Sequence, residues 1–144
     1  MVEDVALNDL VAPVSDDTTI TVRTPYATWQ FTNGTAGGLE ADHDNDGGSN
    51  GVEFFLVGPT GNSTGFTTLP SVVDNAGVLS VTWVKAATYT GTYPTNFTVE
   101  TSTTLTGTWT TETLGVNVTV TGNNVKYTFP AGTIKFARLK VTGQ

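Results

Sequence analysis

Residues 116–129 read VNVTVTGNNVKYTF, with apolar and polar residues alternating on both sides of a Gly-Asn-Asn turn. Alternation of this kind places the apolar side chains on one face of a β-strand and the polar ones on the other. Glycine and asparagine accept the positive φ that tight hairpin turns require. The stretch therefore predicts a β-hairpin. Its predicted inward-facing residues are Val116, Val118, Val120, Val125, Tyr127 and Phe129.

The same alternation recurs at intervals of roughly eight to twelve residues through the second half of the chain. Further strands are predicted at residues 79–83, 97–102, 109–113 and 134–141, and residues 18–23 are a candidate for another. This spacing is typical of an antiparallel sandwich, whereas an open sheet would leave inward-facing rows uncovered. The predicted fold is therefore mainly β: a small antiparallel β-sandwich of about six to eight strands.

The amino-acid composition disfavours some classes of binding partner. The chain has 144 residues, with thirteen acidic residues against six basic ones and a net charge of −7. Nucleic acid and anionic membrane surfaces are disfavoured as partners, because both are bound by clustered basic residues. About thirty threonines support the β prediction, since threonine favours strands and wets their outer face without charge.

The chain has no cysteine, which excludes disulfides and thiolate metal sites. No apolar run approaches the ~20 residues of a membrane span, and residues 1–20 lack the pattern of a signal peptide. We expect the sequence to be a piece of a longer chain, with residues 1–22 as a linker or edge strand. Residues 23–144 are expected to form a single monomeric module, with residues 25–58 preceding a sandwich at residues 69–143.

A metal-binding motif lies at residues 42–53, DHDNDGGSNGVE, which match D-x-[DN]-x-[DN]-G-x₅-E at every specified position. Calcium takes six to eight oxygen ligands at about 2.3–2.6 Å, and a loop wrapped around the ion presents alternate side chains inward. The predicted Ca²⁺ ligands are Asp42, Asp44, Asp46, the Gly48 carbonyl, Asn50 (directly or through water) and Glu53. The alternative is an acidic surface turn, but four carboxylates so close together repel one another without a cation.

The sequences on either side of the motif predict two short helices, which gives a helix–calcium loop–helix segment. The first is predicted at residues 25–31, with proline in its first turn and Asn33-Gly34 at its end. The second is predicted at residues 49–57, before Gly58-Pro59. Four aromatic residues of these helices are expected to pack together or onto the sheet: Trp29, Phe31, Phe54 and Phe55. His43 is expected to face solvent.

Residues 22–143 resemble modules that recur in very large secreted bacterial proteins. Such modules have a tryptophan helix, a dockerin-like or thrombospondin-type-3-like D-x-D-x-D-G loop, and then N-x-x-E-[YF]. The corresponding residues here are Trp29, Asn33-Gly34, Ala41-Asp42, the acidic loop and Asn50–Phe54; strand residues 97–102, Leu105, Trp109 and 136–141 fit the same family. The second glycine of Gly47-Gly48 departs from the family pattern, which has an apolar residue there. The resemblance implies export and a non-catalytic role near the end of a polysaccharide-active enzyme, adhesin or surface protein.

Two functions from different classes remain open. A carbohydrate-binding module would stack sugar rings on exposed aromatic residues, and the predicted candidates are Tyr89, Tyr93 and Trp109. The alternative for each of these residues is packing in the core or over the end of the sandwich. A structural spacer or docking module between neighbouring domains is the second function. Catalysis is disfavoured, since the single His43 lies in the metal loop and no Ser-His-Asp set is available.

Overall fold

The computed structural model of the protein describes residues 22–62 and 70–143. The candidate strand near residues 18–23 lies largely outside this part of the chain. The described residues form two short α-helices and seven β-strands. This mainly β architecture, with two antiparallel sheets, confirms the predicted small β-sandwich preceded by a helix–loop–helix segment.

The two helices have the ends that their sequences predict. Helix α1 (Pro25–Asn33) begins after Thr24, whose Oγ1 accepts a hydrogen bond from the Ala27 N–H at 3.2 Å. It ends at Gly34, which has a φ of 66° that a side chain would resist. Helix α2 (Asn50–Val57) begins after Ser49 and ends at Gly58. The acidic loop is therefore held between two fixed helix ends.

The seven strands are short and belong to the second half of the chain. They are β1 (Val72–Asn75), β2 (Val78–Val84), β3 (Phe97–Ser102), β4 (Thr110–Thr111), β5 (Val118–Thr121), β6 (Asn124–Thr128) and β7 (Phe136–Val141). One sheet has the order β1-β2-β6-β5 and the other the order β4-β3-β7. The hairpin predicted from residues 116–129 is the β5–β6 pair, in which Val118 faces Tyr127 and Thr121 faces Asn124.

The core lies between the two sheets and extends beneath the helices. Its strand residues include Val81, Trp83, Val99, Val118, Val125, Tyr127, Leu139 and Val141, and its helical residues are Tyr26, Trp29, Phe54 and Phe55. The helical unit is tied to the sandwich at two places. The Ala86 N–H, just after β2, donates to the Phe55 carbonyl at 3.0 Å, and α2 packs against β7. Gly51 permits this packing, because a Cβ there would lie 3.1 Å from that of Val141.

Several residues that were predicted to lie in the core are exposed. Phe31 is 70% exposed and lies beneath the Arg23 guanidinium, 4.1 Å from its ring centre. Val116 is 71% exposed, because β5 begins only at Val118 and the preceding residues turn. Leu79 alternates with Ser80 and lies on the same side of β2 as the buried Val81 and Trp83 but is itself exposed.

Strand β3 differs from the prediction of one wet face, because all six of its residues are buried. Thr98, Glu100 and Ser102 alternate with the inward Phe97 and Val99, so their outer face is covered as well. Part of the cover comes from Arg138 of β7, which forms an ion pair with Glu100. Among the described residues, no helix is long and apolar enough to cross a membrane.

Candidate functional site

Three aspartates of the loop between α1 and α2 converge on one point. Carboxylate oxygens of Asp42, Asp44 and Asp46 lie within 4.8 Å of one another, and all three residues are exposed. Hard cations prefer such clustered carboxylate oxygens. The arrangement could hold a metal ion with three of the predicted ligands.

Backbone hydrogen bonds fix the shape of this acidic loop. The Gly47 N–H donates to Oδ2 of Asp42 at 3.0 Å, and the Gly48 N–H donates to Oδ1 of Asp46 at 2.8 Å. Gly47 has a φ of 96°, which explains why glycine occupies the sixth position of the motif. Gly48 is buried in the same turn, and the assignment of its carbonyl as a ligand stays a prediction. The carboxylates are thus positioned by the loop itself.

Glu53, the last predicted ligand, lies in the first turn of α2 and is 1% exposed. Its Oε2 has no hydrogen-bond partner within the described part of the chain. Burial, and after it the charges of Asp44, Asp46 and Asp42, together raise the pKa of this carboxyl to about 7. A buried carboxylate without a partner is costly unless a cation neutralises it. The aspartate charges act on Glu53, which lies outside the group of three carboxylates whose oxygens are within 4.8 Å of one another.

Asn50 holds the acidic loop through its side-chain amide. Its Oδ1 accepts a hydrogen bond from the His43 N–H at 3.2 Å, and its Nδ2 donates to the Ala36 and Gly38 carbonyls at 2.9 and 3.1 Å. The residue is fully buried. With its carboxamide engaged by the backbone on both sides, Asn50 braces the loop, and its assignment as a calcium ligand, directly or through water, stays a prediction. Sequence alone could not separate the two roles, because a calcium ligand and a loop brace both use the side-chain amide of the same asparagine.

His43 is exposed, as its position in the loop predicts. Its Nδ1 accepts a hydrogen bond from the Ala36 N–H at 3.2 Å. The imidazole therefore joins the loop to the end of the α1 segment.

Tyr89 does not lie at the surface, so its assignment as a sugar-stacking residue is corrected. It is 1% exposed and contacts Phe54, Phe55 and Phe97, with ring centres 5.4, 5.1 and 6.2 Å away. Burial raises the pKa of its hydroxyl to about 12. The alternative interpretation, in which the tyrosine covers one end of the sandwich, fits this position. Large aromatic residues dominate such cores. The burial of Tyr89 could not be predicted because its neighbours in sequence are polar.

Tyr93 and Trp109 are half-buried. The Tyr93 ring packs edge-on against Phe97, and its hydroxyl donates to the Glu112 carbonyl. These contacts give Tyr93 a structural role. Trp109 lies under the Arg138 guanidinium, whose carbon is 4.3 Å from the ring centre, and lines a groove beside β7. Of the three predicted aromatic ligands, Trp109 alone lines that groove.

The carboxylates of Glu100 and Glu112 each have several partners. Arg138 donates to Oε2 of Glu100 through Nε and a terminal nitrogen at 2.9 and 2.7 Å. Glu112 accepts from Thr101 and Lys135. Alternation alone predicts a solvated face, and the pairing becomes visible only in the register that places Glu100 opposite Arg138.

Comparison of the chain with protein-family models, curated proteins and solved structures gives no match.

Proposed function

We propose that this chain is a non-catalytic module whose fold is completed by a bound calcium ion. The observation that carries the proposal is the position of Glu53. Its buried carboxylate has no hydrogen-bond partner for Oε2 within the described residues and is repelled by the three aspartates. A divalent cation among these four groups converts mutual repulsion into attraction, which is the physical purpose of such a motif.

The ligand chemistry favours calcium over other metals. The converging groups are hard carboxylate oxygens, whereas zinc sites use cysteine and histidine. The chain has no cysteine. Magnesium keeps several waters and demands tight octahedral geometry, and a loop offering a carboxylate at every second residue suits the larger, more adaptable shell of calcium.

A calcium ion in the loop would stabilise more than the loop. Glu53 lies on α2, whose Phe54 and Phe55 belong to the core. Gly51 of the same helix packs against Val141 of β7. Binding at the aspartates would therefore fix α2, and through α2 the contact between the helical segment and the sandwich. In a chain with no disulfides, the ion would provide the link between the helical segment and the sandwich that a disulfide could otherwise provide.

The setting we propose is an accessory module of a secreted or cell-surface multidomain bacterial protein, as the family resemblance implies. Its role there is carbohydrate binding, and the alternative is a spacer, docking or adhesion module with no glycan ligand. The non-catalytic part of the proposal is supported by Glu100 and Glu112. Both carboxylates are engaged by basic side chains, Glu100 by Arg138 and Glu112 by Lys135, whereas a general acid or base needs a side chain available to the substrate.

The calcium proposal is tested by thermal unfolding at pH 7.5 with saturating Ca²⁺ and with EDTA. Calcium at about 100 times its Kd contributes ~2.7 kcal/mol, which corresponds to a rise in Tm of roughly 5–10 °C. Asp44→Ala and Glu53→Gln should abolish the rise. Glu40→Gln is the matched control, because it removes one exposed acidic charge beside the loop but outside the motif. The same Tm with saturating Ca²⁺ as with EDTA, for protein shown by elemental analysis to be metal-free at the start, would refute the proposal.

A further inference from the structure

A groove of about 640 Å³ is lined by residues of the acidic loop, of β7, and of β1 and β2, among them Val72, Val81 and Trp83. We name it the β7 groove; its lining includes Gly47, Gly48 and Ser49 of the loop and all of residues 135–141. Side chains of a strand alternate between two faces, so a groove lined by every residue of β7 follows the edge of the strand. β7 is the last strand of its sheet. The volume is within the ~300–1,000 Å³ range of small-molecule sites.

One side of the β7 groove carries an aromatic ring, that of Trp109, and its neighbours fix the orientation of the ring. Trp109 lies against Arg138, and the same guanidinium donates two hydrogen bonds to Glu100. This stacking holds the indole in place without burying it. Leu105, which is 67% exposed, and Phe136 extend the apolar lining. The result is a partly exposed flat ring with apolar neighbours, which is the type of surface that packs against the C–H faces of sugar rings.

Each basic side chain that lines the groove is paired with a carboxylate. Lys135, Arg138 and Lys140 line it and make up half of the six basic residues of the chain. Each is near a carboxylate: Lys135 is 3.1 Å from Glu112, Arg138 is 2.7 Å from Glu100, and Lys140 is 3.9 Å from Glu100 and 4.0 Å from Glu40. An anionic ligand would have to compete with these carboxylates in a chain of net charge −7. Fixed ion pairs instead offer hydrogen-bond donors and acceptors to an uncharged ligand rich in hydroxyls.

We infer that the β7 groove binds a neutral carbohydrate chain, with Trp109 as the stacking residue and Arg138, Lys140 and Glu40 as groups that bond hydroxyls. The inference deepens the proposed function by giving the ligand class and its site, and it rests on the calcium proposal only for the loop wall. Because Gly47 to Ser49 form that wall, removal of calcium is expected to weaken sugar binding.

Isothermal titration calorimetry with the whole chain tests the inference. The probes are hexasaccharides of β-1,4-linked glucose, xylose and mannose, and of α-1,4-linked glucose, with polygalacturonate as the acidic comparison. At least one neutral hexasaccharide should bind, and Trp109→Ala should weaken that binding at least tenfold. Phe31→Ala is the matched control, since Phe31 is an exposed aromatic residue that does not line the groove. Leu105→Ala, which removes an exposed side chain, should weaken binding several-fold if Trp109→Ala fails to fold.

The outcomes separate the two proposals. Loss of sugar binding in EDTA, together with loss in the Trp109 variant, supports the inference. Binding of polygalacturonate alone, binding only of an extended peptide added along the free edge of β7, or neutral-sugar binding insensitive to both variants would overturn it. The absence of sugar binding in a sample whose Tm rises with calcium overturns the groove assignment and leaves the calcium proposal standing.

Discussion

The Glu112 carboxylate lies 3.1 Å from the Nζ of Lys135, joining the segment after β4 to the segment before β7. Its Oε1 also accepts a hydrogen bond from Thr101 of β3 at 2.7 Å, and its Oε2 accepts one from Asn117 at 3.3 Å. One side chain therefore bonds to β3, to the turn before β5 and to the segment before β7. Burial alone would raise the pKa of Glu112, but these hydrogen bonds and the Lys135 charge outweigh it and hold the pKa below its usual value.

Glu112→Gln is therefore expected to destabilise the fold by about 2 kcal/mol at pH 7, since it removes the charge from several charge-assisted hydrogen bonds. A lowered pKa in the folded state means that the carboxylate contributes its stability above the ordinary pKa of about 4.5, and that this stability is lost as the pH falls through the folded pKa. Urea unfolding at pH 7 and pH 3 measures both effects. The difference between wild type and variant should shrink at pH 3; an equal difference at both values would contradict the prediction.

In the absence of calcium, Glu53 is expected to change the stability of the fold with pH in the direction opposite to Glu112. Its folded pKa is raised to about 7, so the folded state binds a proton there more tightly than the unfolded state. The corresponding stability is present in full below about pH 4.5 and is lost as the pH rises to 7. The metal-free protein should therefore gain stability on acidification from pH 7.5 to 5, by up to about 3 kcal/mol.

The measurement is urea unfolding in EDTA between pH 5 and 7.5, compared with Glu53→Gln. The variant carries an uncharged group of the same shape, so its metal-free form should be more stable than the wild type at pH 7.5 and should show a flatter pH profile. With saturating calcium the order should reverse, because the ion requires the carboxylate. A wild-type profile in EDTA that matches the variant's would contradict the raised pKa.

The ends of the helices and the β5–β6 hairpin follow from sequence because local rules decide them. Pro25, Gly34 and Gly58 limit the helices through backbone conformation, and the Gly122-Asn123 turn limits the hairpin. The aspartate triad follows for the same reason, since a twelve-residue motif brings its own ligands together. These features need no knowledge of distant contacts.

Asn50, Tyr89 and Glu112 could not be assigned in this way, because long-range contacts decide their roles. Asn50 bonds to Ala36 and Gly38, fourteen and twelve residues away. Tyr89 is buried only because α2 packs on one side of it and Phe97 on the other. From sequence alone, a tyrosine in a polar loop cannot be distinguished from an exposed binding residue, because tertiary contacts decide whether it is buried.

The burial of Tyr89 predicts the effect of adding one methyl group nearby. A Cβ at Gly91 would lie 2.5 Å from Cε1 of the Tyr89 ring, which core packing prevents from moving aside. Gly91→Ala should cost about 1–3 kcal/mol, the range typical of overpacked cores. Gly38→Ala is the matched control, since a Cβ there meets nothing within 4 Å. Chemical denaturation should show a loss only for Gly91→Ala, and equal stability of the two variants would show that Tyr89 is free to move.

The bracing contacts of Asn50 predict how two substitutions compare. Asn50→Asp keeps an oxygen that a metal could use but loses both N–H donations to the Ala36 and Gly38 carbonyls. It also places a negative charge against those carbonyls in a fully buried position. We therefore expect Asn50→Asp to destabilise the fold at least as much as Asn50→Ala, by about 1–3 kcal/mol or more, with EDTA and with calcium alike. A metal ligand would behave differently: Asn50→Asp would then bind calcium as tightly as the wild type or more tightly and recover its Tm when calcium is added. Thermal unfolding and calcium titration of both variants separate these two roles of the residue.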